Sequence, residues 1–196
     1  MKEIEVKAKI KNKALVLGNL KKLGCKMSQQ IFQKDDIFVP QDVREVPTEI
    51  GVPVLRIRKN GTKNVLTLKM RLSNGLDKLE KETEISDPKA MEGIILALGF
   101  KKISTVFKAR IKSKYKNWEV CIDEVEGLGP FIEVEELSED GDSEKIQKNL
   151  FAFLKGLGVR DQDREHHGYD VLLYFKSKKK FKSGKKQAKG RAIKIK

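Results

Sequence analysis

The segment Glu3-Ile4-Glu5-Val6-Lys7-Ala8-Lys9-Ile10 decides how this chain folds, because charged and apolar side chains alternate along its whole length. A period of two puts the charged residues on one face of a β-strand and the apolar residues on the other. Nearly every other strand that the sequence predicts repeats this division into an ionic face and an apolar face. Those strands cover Gln29–Val39, Val54–Lys59, Val65–Arg71, Leu79–Ile85, Ile103–Ser113, Trp118–Val125 and Phe131–Leu137.

The two halves of the chain are similar, which indicates an internal duplication. A helix capped by Asn12 ends at Gly24, and a second helix capped by Asp87 ends at Gly99. Seven and eight residues after these glycines come a β-branched residue and a phenylalanine, as Ile31-Phe32 and Val106-Phe107. We therefore expect two units, each with a strand, a helix and further strands, around a pseudo-twofold axis.

Two further helices complete an α+β prediction. The third begins at Asp142 or Ser143 and ends near Gly156, and the fourth covers the region Asp163–Phe175. We expect these helices, like the first two, to pack on the apolar faces of the strands.

The net charge of +14 is concentrated at one end of the 196-residue chain. Residues 176–196 contain eleven Lys or Arg and no acid, so the remainder is close to neutral. This composition predicts a folded domain over residues 1–175 and a disordered, lysine-rich tail over 176–196. A solvated extension is the favoured interpretation of the tail, and weak binding of a polyanion such as RNA, DNA or polyphosphate is the alternative.

Several classes of protein are excluded by composition. No apolar run approaches the roughly 20 residues of a membrane span, so no membrane association is expected. The patterned segment starts at Met1 without a secretory signal, and Cys25 and Cys121 lie in apolar stretches. They are interpreted as reduced core cysteines of a cytoplasmic protein.

The charges on the ionic faces are segregated by sign, which argues against an ordinary solvated surface. Acids recur in one strand and bases in another, as in Glu80-x-Glu82-x-Glu84 and Arg56-x-Arg58. About eight antiparallel strands can close into a barrel that holds one small ligand. We therefore expect the ionic faces to line such a lumen, with cationic walls opposite carboxylate walls, which suits a polyanion bound with a divalent cation.

The turn Gly127-Leu128-Gly129-Pro130 joins two strands and adds to this argument. If Val125 faces Phe131 across the turn, Asp123 lies opposite Glu133 on the ionic face. At ~4 Å and an effective dielectric near 20, such a pair of like charges costs about 4 kcal/mol. A bound Mg²⁺ or Mn²⁺, a raised carboxyl pKa or neighbouring lysines would relieve that repulsion.

The charged motifs, taken in order, resemble the CYTH superfamily of class IV adenylyl cyclases, thiamine triphosphatases and inorganic triphosphatases. The resemblance covers roughly residues 1–174 and includes a C-terminal element, Gly168-Tyr169-Asp170-x-Leu172-Leu173. The motifs that carry it are Glu3-x-Glu5-x-Lys7, Arg56-x-Arg58, Thr67-Leu68-Lys69, Glu82-x-Glu84, Lys108-x-Arg110, Asp123 and Gly127-Leu128-Gly129-x-Phe131-x-Glu133-x-Glu135.

The resemblance implies a closed eight-stranded antiparallel tunnel in which cations bind a triphosphate and acids bind a metal ion, Mg²⁺ or Mn²⁺. The implied catalytic residues are Lys7, Arg58, Lys108 and Arg110. The implied substrate-binding residues are Arg56, Arg58, Lys69, Lys108, Arg110, Glu82 and Glu84. The implied metal ligands are Glu3, Glu5, Asp123, Glu133 and Glu135.

The resemblance favours a class IV adenylyl cyclase that converts ATP to cyclic AMP and pyrophosphate. Hydrolysis of inorganic triphosphate or thiamine triphosphate is the second interpretation, since the same tunnel serves both reactions. A non-catalytic binder of polyphosphate or nucleic acid is the third. A homodimer is compatible with all three.

Overall fold

One antiparallel sheet contains all nine strands of the computed structural model, which describes residues 2–46, 49–71, 78–139 and 142–178. The strands are β1 (Lys2–Lys9), β2 (Ile31–Pro40), β3 (Val54–Asn60), β4 (Lys63–Arg71), β5 (Lys78–Glu84), β6 (Phe100–Tyr115), β7 (Trp118–Val125), β8 (Gly129–Ser138) and β9 (Arg164–Glu165). Their order in the sheet is β5-β4-β3-β2-β6-β7-β8-β1-β9.

The helices are α1 (Lys13–Lys22), α2 (Pro88–Ala97), α3 (Ser143–Gly156) and α4, whose described part is 169–178. Both predicted caps are confirmed: Asn12 Oδ1 accepts from the Leu15 amide at 3.0 Å, and Asp87 Oδ1 accepts from two amides. Gly24 and Gly99 follow α1 and α2 with φ of 77° and 83°, the left-handed conformation that glycine adopts without strain.

The strand order has the symmetry that a duplication predicts. Strands β2, β3 and β4 run consecutively on one side of the sheet, and β6, β7 and β8 do so on the other. The two sets meet where β2 pairs with β6. The first strand of each half, β1 or β5, pairs with the last strand of the other half.

Apolar side chains cover the outer face of the sheet, as the alternation predicts. On the second half, α1 and α3 pack through Val16, Leu20, Leu150 and Leu154 onto apolar residues of β1, β7 and β8. On the first half, α2 packs through Ile95 onto a smaller cluster that includes residues of β2 and β3. The ionic face therefore points inward.

The prediction of a closed eight-stranded barrel is corrected in two respects. The sheet has nine strands, and its hydrogen-bonded ladder, as far as the described residues go, is open between β5 and β9. The extra strand forms because Arg164 and Glu165 pair with Ala8 and Lys7. The helix predicted over Asp163–Phe175 therefore begins only at residue 169.

The predicted register of the β7–β8 hairpin is wrong by two residues. Val125 pairs with Gly129, so Asp123 lies opposite Phe131 and Glu133 lies opposite Cys121. Gly127 and Gly129 both have positive φ, at 76° and 89°, which makes a shorter loop than the sequence suggested. A shift of two keeps every side chain on its predicted face but changes its partner.

Three other predictions concern the C-terminal boundary, the two cysteines and membrane spans. Helix α4 continues to residue 178, past the boundary predicted at 175, and the rest of the lysine-rich tail lies outside the described residues. Cys25 and Cys121 are both free and buried. None of the helices in the described part of the chain has the length and apolar character to cross a bilayer.

Candidate functional site

The inward ionic face surrounds a cavity of about 690 Å³, lined by residues of all nine strands and of the start of α4. Two predicted site residues lie apart from this lining. Asp123 is completely buried behind it, and Glu84 is exposed and pairs with Lys63 at 2.8 Å. The predicted site residues that line the cavity are Glu3, Glu5, Lys7, Arg56, Arg58, Lys69, Glu82, Lys108, Arg110, Glu133 and Glu135.

Arg110 is the centre of a buried ion cluster. Its Nε donates to Asp123 Oδ1 at 2.7 Å, and its Nη2 donates to Asp123 Oδ2 and to Glu133. Lys7 Nζ lies 3.1 Å from Oε1 of the same Glu133 carboxylate. Burial by itself would raise the pKa of Glu133, but Lys7 and Arg110 hold that pKa well below its ordinary value. The repulsion expected between Asp123 and Glu133 is therefore relieved by an arginine that bonds to both.

Tyr169, at the start of α4, gives Asp123 a further hydrogen bond. Its hydroxyl donates to Asp123 Oδ2 at 2.9 Å, and its ring packs edge-on against Phe131 with centroids 5.1 Å apart. The ring centroid lies 4.4 Å from Lys7 Nζ and 5.2 Å from Lys108 Nζ, within the range of cation–π attraction. Burial raises the pKa of Tyr169 well above its ordinary value, so the phenol stays protonated and donates.

Lys108 is the cation of this group whose pKa is lowered most. Burial and the neighbouring charge of Arg110 lower its pKa from 10.5 to about 8, although Asp123 lies 3.6 Å away. At neutral pH it is still mostly charged. A bound anion would raise its pKa and complete its protonation.

Arg58 lies on the same inward face in the other half of the sheet, where Asp35 holds it. Its Nε and Nη2 donate to the two carboxylate oxygens at 2.8 and 2.7 Å. Burial by itself would raise the pKa of Asp35, but the bonds and charge of Arg58 lower it overall. This bidentate pair fixes the plane of the guanidinium at the cavity wall.

Arg56 and Lys69 extend the cationic wall towards β5. Arg56 Nη2 donates to Thr67 at 3.0 Å and to Glu82 at 2.9 Å, and Lys69 Nζ lies 2.8 Å from Glu80. The Nε atom of Arg56 is buried and has no hydrogen-bond partner among the described residues. An unsatisfied charged donor at the wall of a cavity is costly unless a ligand accepts from it.

Acidic side chains lie side by side on the inner face of β1, β8 and β7. Glu5, Glu135 and Glu119 occupy paired positions on β1, β8 and β7. Burial, followed by the charges of Glu119 and Glu3, raises the pKa of Glu135 to about 7. Burial and the charge of Glu80 also raise the pKa of Glu3. Glu135 and Glu3 therefore resist ionisation, because each is buried and lies near other carboxylates. At Glu119 the bond and charge of Lys112 outweigh burial and lower the pKa.

Such a group matches the chemistry of a hard divalent cation, which binds carboxylate oxygens and relieves their repulsion. Of the predicted ligands, Glu3, Glu5 and Glu135 belong to it, whereas Asp123 and Glu133 are bonded to Arg110. No three His, Cys, Asp or Glu side chains in the described ranges already converge closely enough to hold a metal ion. The match is therefore one of charge and donor type.

Sequence reasoning missed several residues that shape this site. Asp35 follows Gln33 at period two on the inner face of β2, which is the signal that could have identified it. Thr67 and Glu119 likewise occupy inner positions of their strands, in register with Glu82 and Glu135. Tyr169 was visible only as part of the C-terminal element, because nothing in the sequence places it against Asp123.

Comparison with known proteins shows which family the sequence matches. The CYTH domain model matches residues 1–169. A Methanocaldococcus jannaschii protein named provisionally as an adenylate cyclase is 35% identical over 164 residues, which are 81% of this chain and 91% of that protein.

Solved structures share the fold. The PH1819 protein of Pyrococcus horikoshii superimposes with a TM-score of 0.75 at 26% identity, covering 89% of this chain and 99% of that one. A Hippeastrum protein gives a TM-score of 0.59 at 20% identity, covering 90% and 96%. The latter is described as a provisional adenylyl cyclase with a dominant triphosphatase activity.

Proposed function

Because the chain belongs to the CYTH family, we propose that it is a metal-dependent enzyme that converts ATP to cyclic AMP and pyrophosphate. One observation carries this proposal: buried aspartates fix two arginines at the wall of a cavity that carboxylates also line. Arg58 is fixed by Asp35, and Arg110 is fixed by Asp123. Phosphoryl and nucleotidyl transfer depend mainly on positioning and charge stabilisation, which such an arrangement supplies.

The cations of the cavity would bind the phosphates. Arg56 offers a buried Nε that lacks a partner among the described residues, and a phosphate oxygen would satisfy it. Arg58 lies two residues further along the same strand, and Lys108 and Arg110 lie on β6, beyond β2 in the sheet. Lys7 is close to the last two through Glu133 and Tyr169. These side chains stabilise the negative charge that grows on the departing pyrophosphate.

Glu3, Glu5 and Glu135 would hold the metal ion, Mg²⁺ or Mn²⁺, that members of this family use. When bound, the ion neutralises phosphate oxygens and supplies Lewis-acid chemistry. The carboxylates themselves gain from it, since burial and then the charges of neighbouring carboxylates raise the pKa of Glu135, and a cation offsets both effects.

In the cyclase reaction, the 3′-hydroxyl oxygen of ATP bonds to the α-phosphorus and its proton passes to solvent. The bond from that phosphorus to the bridging oxygen of the β-phosphate breaks, and pyrophosphate leaves with the electron pair. The fixed guanidinium groups of Arg58 and Arg110 hold the triphosphate so that these two bonds lie in line. Their aspartate partners keep them from rearranging during the reaction, so little reorganisation is needed at the transition state.

Hydrolysis of a terminal phosphate is the second candidate. The cationic wall contacts phosphates only, so it would hold tripolyphosphate or thiamine triphosphate equally well. The Hippeastrum protein with the same fold, which is described as having a dominant triphosphatase activity, makes this alternative specific.

Product identification separates these functions. Pure protein is incubated with ATP, tripolyphosphate or thiamine triphosphate and with Mg²⁺ or Mn²⁺, and the products are resolved by chromatography. Cyclic AMP with pyrophosphate supports the cyclase, and orthophosphate supports the triphosphatase. Binding without turnover of any of the three would leave only a polyphosphate or nucleic-acid binder and would contradict the proposal.

A single arginine tests the cationic wall. We expect Arg58→Ala to slow the reaction by roughly 10²–10³, the effect of removing one positioned donor to a developing anion. Arg160→Ala is the matched control, because Arg160 is exposed and pairs with Asp163 outside the cavity. Full activity of a folded Arg58→Ala variant would contradict the assigned role.

A further inference from the structure

Lys108 is a buried cation whose ammonium group makes no hydrogen bond to the residues that the structure describes. Among those residues, the one carboxylate oxygen within 4 Å of its Nζ is Asp123 Oδ2, at 3.6 Å, which is beyond hydrogen-bond range. The neighbouring Lys7 is different, because its Nζ lies 3.1 Å from Glu133 and donates to the His167 carbonyl at 3.3 Å. The three N–H groups of Lys108, which lines the cavity, are therefore left for another acceptor.

The oxygen of Asp123 that is nearest to Lys108 already has two other donors. Oδ1 accepts from Arg110 Nε at 2.7 Å, whereas Oδ2 accepts from Arg110 Nη2 and from the Tyr169 hydroxyl, the latter at 2.9 Å. A carboxylate oxygen has two lone-pair directions. Both directions of Oδ2 are therefore occupied, and Lys108 remains outside them.

The ring of Tyr169 holds the same lysine by a different contact. Its centroid lies 5.2 Å from Lys108 Nζ and 4.4 Å from Lys7 Nζ, within the range of cation–π attraction. The ring itself is fixed by its edge-on contact with Phe131 and by packing in a cluster with Val125. An ammonium held against a ring face still has N–H groups to offer to an anion in the cavity.

The first half of the chain lacks both the lysine and the tyrosine. Gln33 lies two residues before Asp35, at the place where Lys108 lies two residues before Arg110. The two carboxylate oxygens of Asp35 accept from Arg58, and none of the three tyrosines of the chain bonds to them. The additional hydroxyl is thus present at the arginine–aspartate pair that has a lysine beside it.

We propose that Tyr169 is a positioning residue that keeps Lys108 unpaired, so that the Lys108 ammonium binds the phosphates of the substrate. Its hydroxyl takes the lone pair of Asp123 with which Lys108 would otherwise bond. Without that hydroxyl, Nζ needs to move only roughly 0.7 Å to reach the ordinary N–H···O distance of about 2.9 Å. The inference rests on the proposed function, which gives Lys108 its role as a phosphate-binding cation.

Tyr169→Phe is the direct test, because it removes the hydroxyl and keeps the ring. Dissociation constants for tripolyphosphate with Mg²⁺ are measured by calorimetry for the wild type, Tyr169→Phe, Lys108→Met and the double variant. We expect affinity to fall about tenfold in Tyr169→Phe, the effect of one weakened charge-assisted contact. Tyr174→Phe is the matched control, since Tyr174 is on the same helix but contacts Lys178 outside the cavity.

The double variant separates positioning from a general effect on the fold. If Tyr169 acts through Lys108, adding Tyr169→Phe to Lys108→Met should change the affinity by less than about twofold. If Tyr169 served only to maintain Asp123 and Arg110, its loss would weaken binding by the same factor in both backgrounds. Equal factors would overturn the inference, and so would wild-type affinity in Tyr169→Phe.

A second measurement needs no substrate. Side-chain NMR of isotope-labelled lysine follows the Lys108 ammonium through a pH titration of the free protein, with Lys108→Met to assign its signal. In the wild type, burial and the charge of Arg110 lower the pKa of Lys108 to about 8. A closer contact with Asp123 in Tyr169→Phe should raise that pKa towards its ordinary value of 10.5, because an opposite charge favours the protonated form.

The other charged groups around Lys108 are common to both proteins, so they do not produce the difference. They are Lys7 of β1, Asp35 of β2, Arg58 of β3, Arg110 of β6, Asp123 of β7 and Glu133 of β8. An unchanged pKa in Tyr169→Phe would overturn the inference. A raised pKa in a protein that binds no triphosphate would refute the proposed function, yet it would still support the part of Tyr169 in keeping Lys108 from Asp123.

Discussion

The two halves of the molecule share a backbone plan but divide its charges differently. In the first half the acid of the central ion pair is on β2 and the arginine is on β3, and in the second half the order is reversed. Asp35 bonds only to Arg58 among the contacts described above, whereas Asp123 is fully buried between Arg110 and Tyr169. The comparison teaches that both halves keep an arginine–aspartate pair at the same place, and that the pair of the second half is more deeply buried and has more bonding partners.

Removing the arginine of each half is the strongest test of this contrast. Arg110→Ala leaves Asp123 and Glu133 buried without their shared partner, so we expect a loss of about 3–5 kcal/mol in the free energy of unfolding. Arg58→Ala strands only Asp35 and should cost less. Denaturant titration of both variants measures the difference.

The double variant Arg110→Ala, Asp123→Ala is the control for this prediction. It should recover part of the stability lost in Arg110→Ala, because the buried charge is removed together with its partner. Equal losses in the two single variants would show that the halves are energetically alike.

Deleting one hydroxyl in each half gives a smaller effect. Tyr169→Phe removes a donor from a buried carboxylate and should cost about 1.5–3 kcal/mol. Thr67→Val removes a bond to Glu82, which is half exposed and keeps Arg56, so its cost should stay below about 1 kcal/mol. Thermal unfolding of both variants at one pH would show which variant loses more stability. A larger loss in Thr67→Val than in Tyr169→Phe would contradict the prediction that the Tyr169 hydroxyl stabilises buried Asp123.

The pH dependence of kcat/KM sharpens the contrast through Lys108. Its pKa of about 8 in the free protein means that it loses its charge as pH rises from 7 to 9, so binding of the triphosphate should weaken over that interval. At the equivalent position the first half has the uncharged Gln33, so only the second half contributes this titration. Lys108→Arg keeps the charge and should flatten the profile above pH 8. An unchanged profile in that variant would exclude Lys108 as the titrating group.

The helix caps provide the smallest effect. Bonds from the Ala90 and Lys89 amides lower the pKa of Asp87, so its cap stabilises the fold above the ordinary value of 3.8 and fades as pH falls through the lowered pKa. Asn12 caps the equivalent helix without a titratable group. The melting-temperature difference between wild type and Asp87→Ala should therefore shrink from pH 6 to pH 3, while that for Asn12→Ala stays constant.

Much of this architecture was predictable because it depends on local periodicity. Alternation identified β1 to β8 to within a few residues, and capping residues located α1, α2 and α3. The repeat of Asn12 and Asp87, followed by Gly24 and Gly99, predicted a duplication around a pseudo-twofold axis, and the observed strand order agrees with it. The two-residue β9 escaped, because Arg164-Glu165 is too short to show a period and forms only by pairing with β1.

The site was likewise predictable where it depends on local periodicity, and not where it depends on contacts between strands. Period two put Arg56, Arg58, Lys108, Arg110 and Glu133 on one face, and the structure brings all of them to one cavity. The metal role that the resemblance implied for Asp123 did not anticipate its bonds to Arg110 and Tyr169, which depend on the β6–β7 register and on the docking of α4. Glu84 is on the predicted face of β5, but it stands at the end of the strand and reaches Lys63 rather than the cavity.

The sequence by itself determined which face of each strand is ionic, where the helices begin and end, and that the chain is duplicated, because side-chain period and capping are properties of neighbouring residues. The tertiary structure alone decided which charges meet. Cross-strand partners such as Arg110 with Asp123 and Glu133, or Tyr169 with Asp123, depend on loop length, ladder register and the docking of α4. A change of two residues in the β6–β7 connection, for example, would give Arg110 a cross-strand partner other than Asp123 while leaving the alternation of side chains intact.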